Sequence, residues 1–429
     1  MWQDQRYQDL WLHFEPGFKQ NVKDACMTAL ATESPVVRNQ IASLIASIAQ
    51  IEIPRGEWSE LIQSLCTNAV NQDWQIRLTS LTTIGYICEE LQPEDLTQQL
   101  RNSIMEALTN NISKDEAKVE PCRLAVKALL HSVPFMQANF QVEEERNFIM
   151  GKVIDEALGA NNVQIRETAM QCLVEIGRQE YATIQSYMDK IWQSTSYLAK
   201  SDQAEVGSQA IEFWTTIAEV ELSRQEKQGQ VHNYILAYKD HLLQLLLECI
   251  SNVQIEDEDD AEEEWGVNLA SGCCLVKVSL LLKNYVLQPV VDFVGRNITD
   301  QQDWKKRYAA LIALGAVADG PEKQAFASMI LQSSAQLFSM FKDQSIKVRE
   351  AIAWVTLQIC THHADVMAET PQQTADFVQI ILQSLPDRPR VSIYLCQAIE
   401  KLAESLAPMD VMDPNQAANN LTPHFETIA

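Results

Sequence analysis

Apolar residues recur at three- and four-residue spacing along almost the whole chain, with no useful length of strict alternation. That pattern predicts helices throughout and no sheet. One local arrangement punctuates it: a polar turn, then Val or Ile, usually an Arg, then a helix rich in Ala, Leu and Ile. Nine copies are visible: Pro35-Val36-Val37-Arg38, Asp73-Trp74-Gln75-Ile76-Arg77, Pro121-Cys122-Arg123, Val163-Gln164-Ile165-Arg166, Glu205-Val206-Gly207, Trp265-Gly266-Val267-Asn268, Asp303-Trp304-Lys305-Lys306-Arg307, Lys347-Val348-Arg349 and Arg390-Val391-Ser392. Their last residues fall 39 to 46 residues apart, save one step of 61. Each period reads as two helices, as in Asp95–Ile112 then Val119–Ser132, or Val142–Leu158 then Val163–Gly177. The helices are apolar on more than one face, because each must pack on its partner and on both neighbouring repeats. The expected class is all-α, an α-solenoid.

A period of ~40–47 residues is that of a HEAT or armadillo array, here about nine repeats. No Pro/Gly/Ser-rich linker divides the chain, so residues 1–429 read as a single array. At the C-terminus Thr422 and Pro423 open a helical turn that stops at Ala429, and Trp2–His13 reads as a second helix without its partner. The expectation is an array truncated at both ends. Asp73, Asp303 and Asp343 suit helix caps, and Arg77, Arg307 and Arg349 suit contacts to a neighbouring repeat's turn. That role is structural.

Charge narrows the partners. Lys and Arg sum to 33 against 58 Asp and Glu, a formal charge of −25. A field of that sign repels nucleic acid and anionic membranes and attracts basic segments. No window approaches the ~18 continuous apolar residues of a membrane span, and Met1–Arg6 lacks the order of a secretory signal. Cys26, Cys66, Cys88, Cys172, Cys249, Cys360 and Cys396 fall in apolar helical patterns, as expected of free thiols in cytosol or nucleus. There is no Gly-rich phosphate loop, nucleophile elbow or Cys-x-x-Cys pair, so no enzyme and no cofactor is expected. Cys360, His362, His363 and Asp365 form the densest ligand-like cluster, without a second cluster to complete a zinc shell.

The long step contains the strongest bias in the chain. Glu256, Asp257, Glu258, Asp259, Asp260, Glu262, Glu263 and Glu264 supply eight carboxylates in nine positions, immediately before Trp265. Mutual repulsion makes residues 253–264 a solvated acidic loop inside one repeat. A solubilising loop is one reading. A landing site for a Lys/Arg-rich segment is the other, because the loop opens onto a tryptophan and a helix N-terminus.

The period, the acidic run ending in Trp265, and the stretches Ile51-Glu52-Ile53-Pro54, Ile84-Gly85-Tyr86-Ile87-Cys88, Ile211-Glu212-Phe213-Trp214 and Arg349-Glu350-Ala351-Ile352-Ala353-Trp354 together resemble importin-beta, the nuclear import receptor family. The resemblance runs from about the family's third repeat to the middle of its array. It implies that second helices line an inner surface taking the basic segment of an importin-alpha-type adaptor or of basic cargo. Trp265 and Trp354 would hold Lys and Arg stems there. The next tryptophan of that series is replaced by Gln397. It also implies an outer slot for Phe-Gly motifs of nucleoporins, with Glu145, Phe148 and Ile149 on one wall and Ile104, Met105, Leu108 and Thr109 on the other. Thr109 stands where the family has Ile and Glu106 where it has Thr, so that wall is more polar here. Regulation by Ran-GTP, partly through the acidic loop, and residence in cytoplasm, nucleus and nuclear pore follow from the same resemblance. The alternative is a static HEAT-repeat scaffold such as a phosphatase regulatory subunit. Trp58, Trp74, Trp192, Trp214 and Trp304 read as packing tryptophans.

Overall fold

A computed structural model describes residues 10–253, 265–367 and 371–406, all of them helix, turn or coil. The expected acidic loop, the N-terminal residues before Leu10 and the Thr422 turn lie outside the described residues. Two compact units are distinguishable, Met1–Phe213 and Trp214–Ala429, and they divide inside the helix Ala204–Glu226 rather than at a linker.

In the first unit the second helices of successive repeats stack in order. Pro35–Glu52 packs on Trp74–Glu90, that on Val119–Ser132, and that on Val163–Gln179. Three of the four start at a side-chain cap, Ser34, Asp73 and Asn162, and Val119–Ser132 starts without one. The Asp73 carboxylate accepts from the backbone N–H groups of Gln75 and Ile76 at 2.9 and 3.3 Å, and Asn162 caps Ile165 at 3.1 Å, satisfying amides that the first helical turn leaves free. Inside Trp74–Glu90, Leu78, Leu81, Ile84 and Ile87 are buried. Thr79 and Thr83 are buried too, and their hydroxyls donate to the carbonyls of Gln75 and Thr79 at 2.8 Å each. Gly85 is there for closeness. A Cβ on it would stand 3.3 Å from that of Ala128 on the next second helix.

The second unit repeats the scheme, with Val267–Leu282, Trp304–Ala316, Ile346–Met367 and Pro389–Leu406 in succession. Asp303 caps the second of these through the Lys305 N–H at 3.0 Å. The run Val267–Asn297 has a window of mean hydropathy 1.3 and is long and apolar enough to cross a membrane, contrary to the reading of the sequence. Its local geometry shows how it is used. Lys283, at φ 52°, breaks the run, and Val267–Leu282 packs against Tyr234–Ser251 and Trp304–Ala316.

The expected arginine contacts form a ladder between repeats. Arg38 donates to Gln75 at 3.2 Å and Arg77 to Asn111 at 2.7 Å. Arg166 holds Asp202 through two bonds of 2.6 Å, Arg307 holds Asp343 through two of 2.7 Å, and Arg349 holds Asp387 at 2.6 and 3.1 Å. Partners lie 34 to 38 residues ahead, one repeat on. Asp343 also takes the Ser345 N–H at 2.9 Å, so one carboxylate shapes its own turn and receives the preceding repeat. Arg123 departs from the ladder and pairs with Glu120 of its own helix at 2.6 Å.

Some sequence readings need correction. Cys396 is exposed rather than packed, while the other six cysteines assigned to apolar patterns are buried. Trp214 and Trp58 are core residues, but Trp74, the first residue of its helix, is 40% exposed.

Candidate partner-binding surfaces

The proposed Phe-Gly slot lies within the first unit, at the helix Gln98–Thr109 and the helix Glu143–Gly151. Val142 precedes three glutamates, Glu143–Glu145, which suit the positive end of the second helix. That helix runs on into a π-helical turn, Lys152–Ala157, a register change that commonly marks functional segments. The turn turns Lys152 back. Its ammonium donates to the carbonyl of Ile112, just past the other helix, at 3.1 Å and lies 5.8 Å from the Phe148 ring centroid.

The expected site residues divide by exposure. Phe148 is 52% exposed and Glu145 is exposed. Ile149, Ile104, Met105, Leu108 and Thr109 are buried and form the backing of the site rather than an open wall. The Thr109 hydroxyl turns inward and donates to the carbonyl of Met105 at 2.6 Å, which removes its polarity from the surface. Two residues absent from the sequence reading organise the exposed part. The Asn139 amide donates to Glu145 at 2.7 Å and to Asn102, on the facing helix, at 2.9 Å. Spacing could not reveal this, since Asn139 and Asn102 are 37 residues apart in sequence.

In the second unit, Trp265 is 63% exposed and stands one residue before Gly266, the N-cap of Val267–Leu282. Its acidic neighbours 256–264 lie outside the described residues. Trp354 is half-buried, with its indole laid on Gly315, where an added Cβ would meet the ring at 2.3 Å. Between the first helices Lys323–Ser339 and Pro371–Ser384 opens a cavity of about 640 Å³ lined in part by Phe338, Phe341 and Phe377. Phe338 and Phe377 are 5.5 Å apart, centroid to centroid.

The cysteine and histidine cluster is spread over separate partners. Burial pushes the Cys360 thiol up to about 12, His363 meets the carbonyl of Ala318 at 2.6 Å, and His362 meets Asp319 at 3.0 Å. Among the described residues no three His, Cys, Asp or Glu side chains gather as metal ligands do.

Comparison with known proteins relates the sequence and the fold of the chain to the importins. A family model described as IPO5-like, TPR repeats, matches residues 33–194. Importin subunit beta-1 of Schizosaccharomyces pombe is 32% identical over 98% of this chain and 49% of its own length. Yeast importin-beta, Kap95p, superposes with a TM-score of 0.89 at 30% identity, over 99% of this chain and 49% of that one. The chain is an importin-beta homologue. It spans about half the length of the relatives it matches. Structures of Kap95p with RanGDP and of a Kap95:Nup1 complex match with TM-scores of 0.86 and 0.87, at 29% and 30% identity, each over 99% of this chain and 49% of the matched one. The expected all-α HEAT-repeat solenoid is thereby the fold of this importin-beta homologue.

Proposed function

We propose that this importin-beta homologue acts in nuclear import as a receptor and not as an enzyme, moving between cytoplasm and nucleus through the pore. It takes the basic segment of an importin-alpha-type adaptor or cargo at the acidic run Glu256–Glu264 with Trp265 and Trp354. Phe-Gly nucleoporin motifs dock at Glu145, Phe148 and Ile149 against Ile104, Met105, Leu108 and Thr109. Ran-GTP displaces the basic segment. Homology to a protein seen with RanGDP and with Nup1 supports the partner classes. The surface assignments are carried over from the resemblance, and the exposure of Trp265 and Phe148 supports them.

The observation that carries this reading is the exposure of Trp265, 63%, directly after eight carboxylates. A tryptophan serving a static scaffold would be expected in the core, where its large area contributes most. Left in solvent beside negative charge, its indole face suits a Lys or Arg stem, with the carboxylates taking the head group. Binding of a labelled Lys/Arg-rich peptide tests it. Trp265→Ala should accelerate dissociation about 10-fold, an effect of ~1.4 kcal/mol in keeping with a desolvated cation–π contact. Unchanged dissociation, or no binding by the unsubstituted chain, would favour the static scaffold.

A further inference from the structure

We infer that Asn139 is a positioning residue for the Phe-Gly slot, holding the Glu145 carboxylate in place for the backbone N–H groups of an incoming peptide; this rests on the reading of that slot given above.

Asn139 sits in the short helix Gln137–Gln141, between the second helix Val119–Ser132 and the first helix Glu143–Gly151, and it is 5% exposed. Its amide nitrogen has two donors, and both are used. One goes to Glu145 at 2.7 Å and the other to Asn102 at 2.9 Å, whose own oxygen also receives Gln98 at 2.8 Å. A chain of side-chain amides therefore runs from the facing helix to Glu145, which stands three residues before Phe148 on the same helix. The orientation of the amide is determinate, since reversing it would set its oxygen against two acceptors. It leaves Oδ1 buried without a protein partner. Buried acceptors are nearly always paired, so an arrangement that sacrifices one to fix two others gives the amino group priority.

The consequence for binding is preorganisation. Free glutamate samples many rotamers, and ordering it on binding costs affinity. A carboxylate already held by one N–H keeps further acceptor positions for a ligand amide. At the far end of the same pair of helices, Lys152 bonds the Ile112 carbonyl, so the two walls are tied on either side of Phe148.

A double-mutant cycle with a Phe-Gly repeat peptide as probe separates positioning from packing. Asn139→Ala should weaken binding about 5- to 10-fold in the unsubstituted chain and less than 2-fold in a Glu145→Ala background. Asn102→Ala, at an exposed position, leaves the core intact and serves if Asn139→Ala folds poorly. It should weaken binding about 2- to 3-fold, and again only when Glu145 is present. Equal losses in both backgrounds would overturn the inference and make Asn139 a packing residue. Failure of the unsubstituted chain to bind the peptide would instead overturn the slot reading itself.

Discussion

Two glycines in similar helices show how a single position decides what a repeat tolerates. Gly315 lies near the end of Trp304–Ala316, under the Trp354 indole, with 2.3 Å available between a new Cβ and the ring. Gly295, in Leu287–Asn297, would gain a Cβ with nothing within 4 Å. Helix propensity alone favours Ala at both by up to ~1 kcal/mol. At Gly315 overpacking outweighs it, because the indole must shift off its seat, at a cost of ~1–3 kcal/mol. Gly315→Ala is therefore expected to lower the urea midpoint and Gly295→Ala to leave it unchanged or raise it. If Gly315→Ala also displaces Trp354, binding of a Lys/Arg-rich peptide should weaken in that variant alone. Equal midpoints for the two variants would mean that the indole moves freely and does not form a fixed platform.

At the scale of the element, the turn between repeats is a polar joint. Asp202 is held below the usual carboxylate range, chiefly by the Arg166 hydrogen bonds and despite burial. A depressed carboxylate pKa in the folded state stabilises fully above the unfolded value near ~4 and is lost as pH falls through the folded value. Arg166→Ala should accordingly cost about 1–3 kcal/mol by urea unfolding at pH 7. The difference from the unsubstituted chain should hold down to about pH 5 and narrow below about pH 4. A gap of constant size at pH 3 would show that the arginine acts through its packed stem and not through Asp202. Joints of this kind were legible in the sequence at Arg77, Arg307 and Arg349, because an Asp followed by Arg four to six residues on is a local pattern that the period repeats, whereas Arg166 follows an Asn cap and falls outside it. The π-helical turn at Lys152 and the break at Lys283 were not. Both occur inside continuous helical patterns, where 3.6-residue periodicity looks the same on either side of a local change in backbone hydrogen bonding. The Asn139 clamp was hidden for another reason, since it joins residues from different repeats and no periodicity reports a contact of that range. Exposure was legible only for residues next to charge: Trp265 follows eight carboxylates and is open, whereas Met105 and Leu108 have the spacing of a surface groove and are buried.

For the molecule as a whole, the governing quantity is the formal charge of −25, with eight of the carboxylates concentrated in one nine-residue run. Charge of one sign acts before contact, by raising the encounter rate of an oppositely charged segment, whereas a stacked contact acts after it, by slowing escape. The two effects are separable in time. Replacing Glu262, Glu263 and Glu264 with Gln should slow association of a Lys/Arg-rich peptide several-fold and leave dissociation nearly unchanged, the reverse of what Trp265→Ala is expected to do. Salt provides the control. Raising ionic strength from 0.1 to 1 M shortens the Debye length from ~10 to ~3 Å, so association with the unsubstituted chain should fall steeply and the triple variant should lose less. Stopped-flow measurements at both salt concentrations would distinguish the cases. An association rate insensitive to salt, or identical in the two chains, would reduce the run to a solubilising loop and leave the exposed indole as the recognition element on its own.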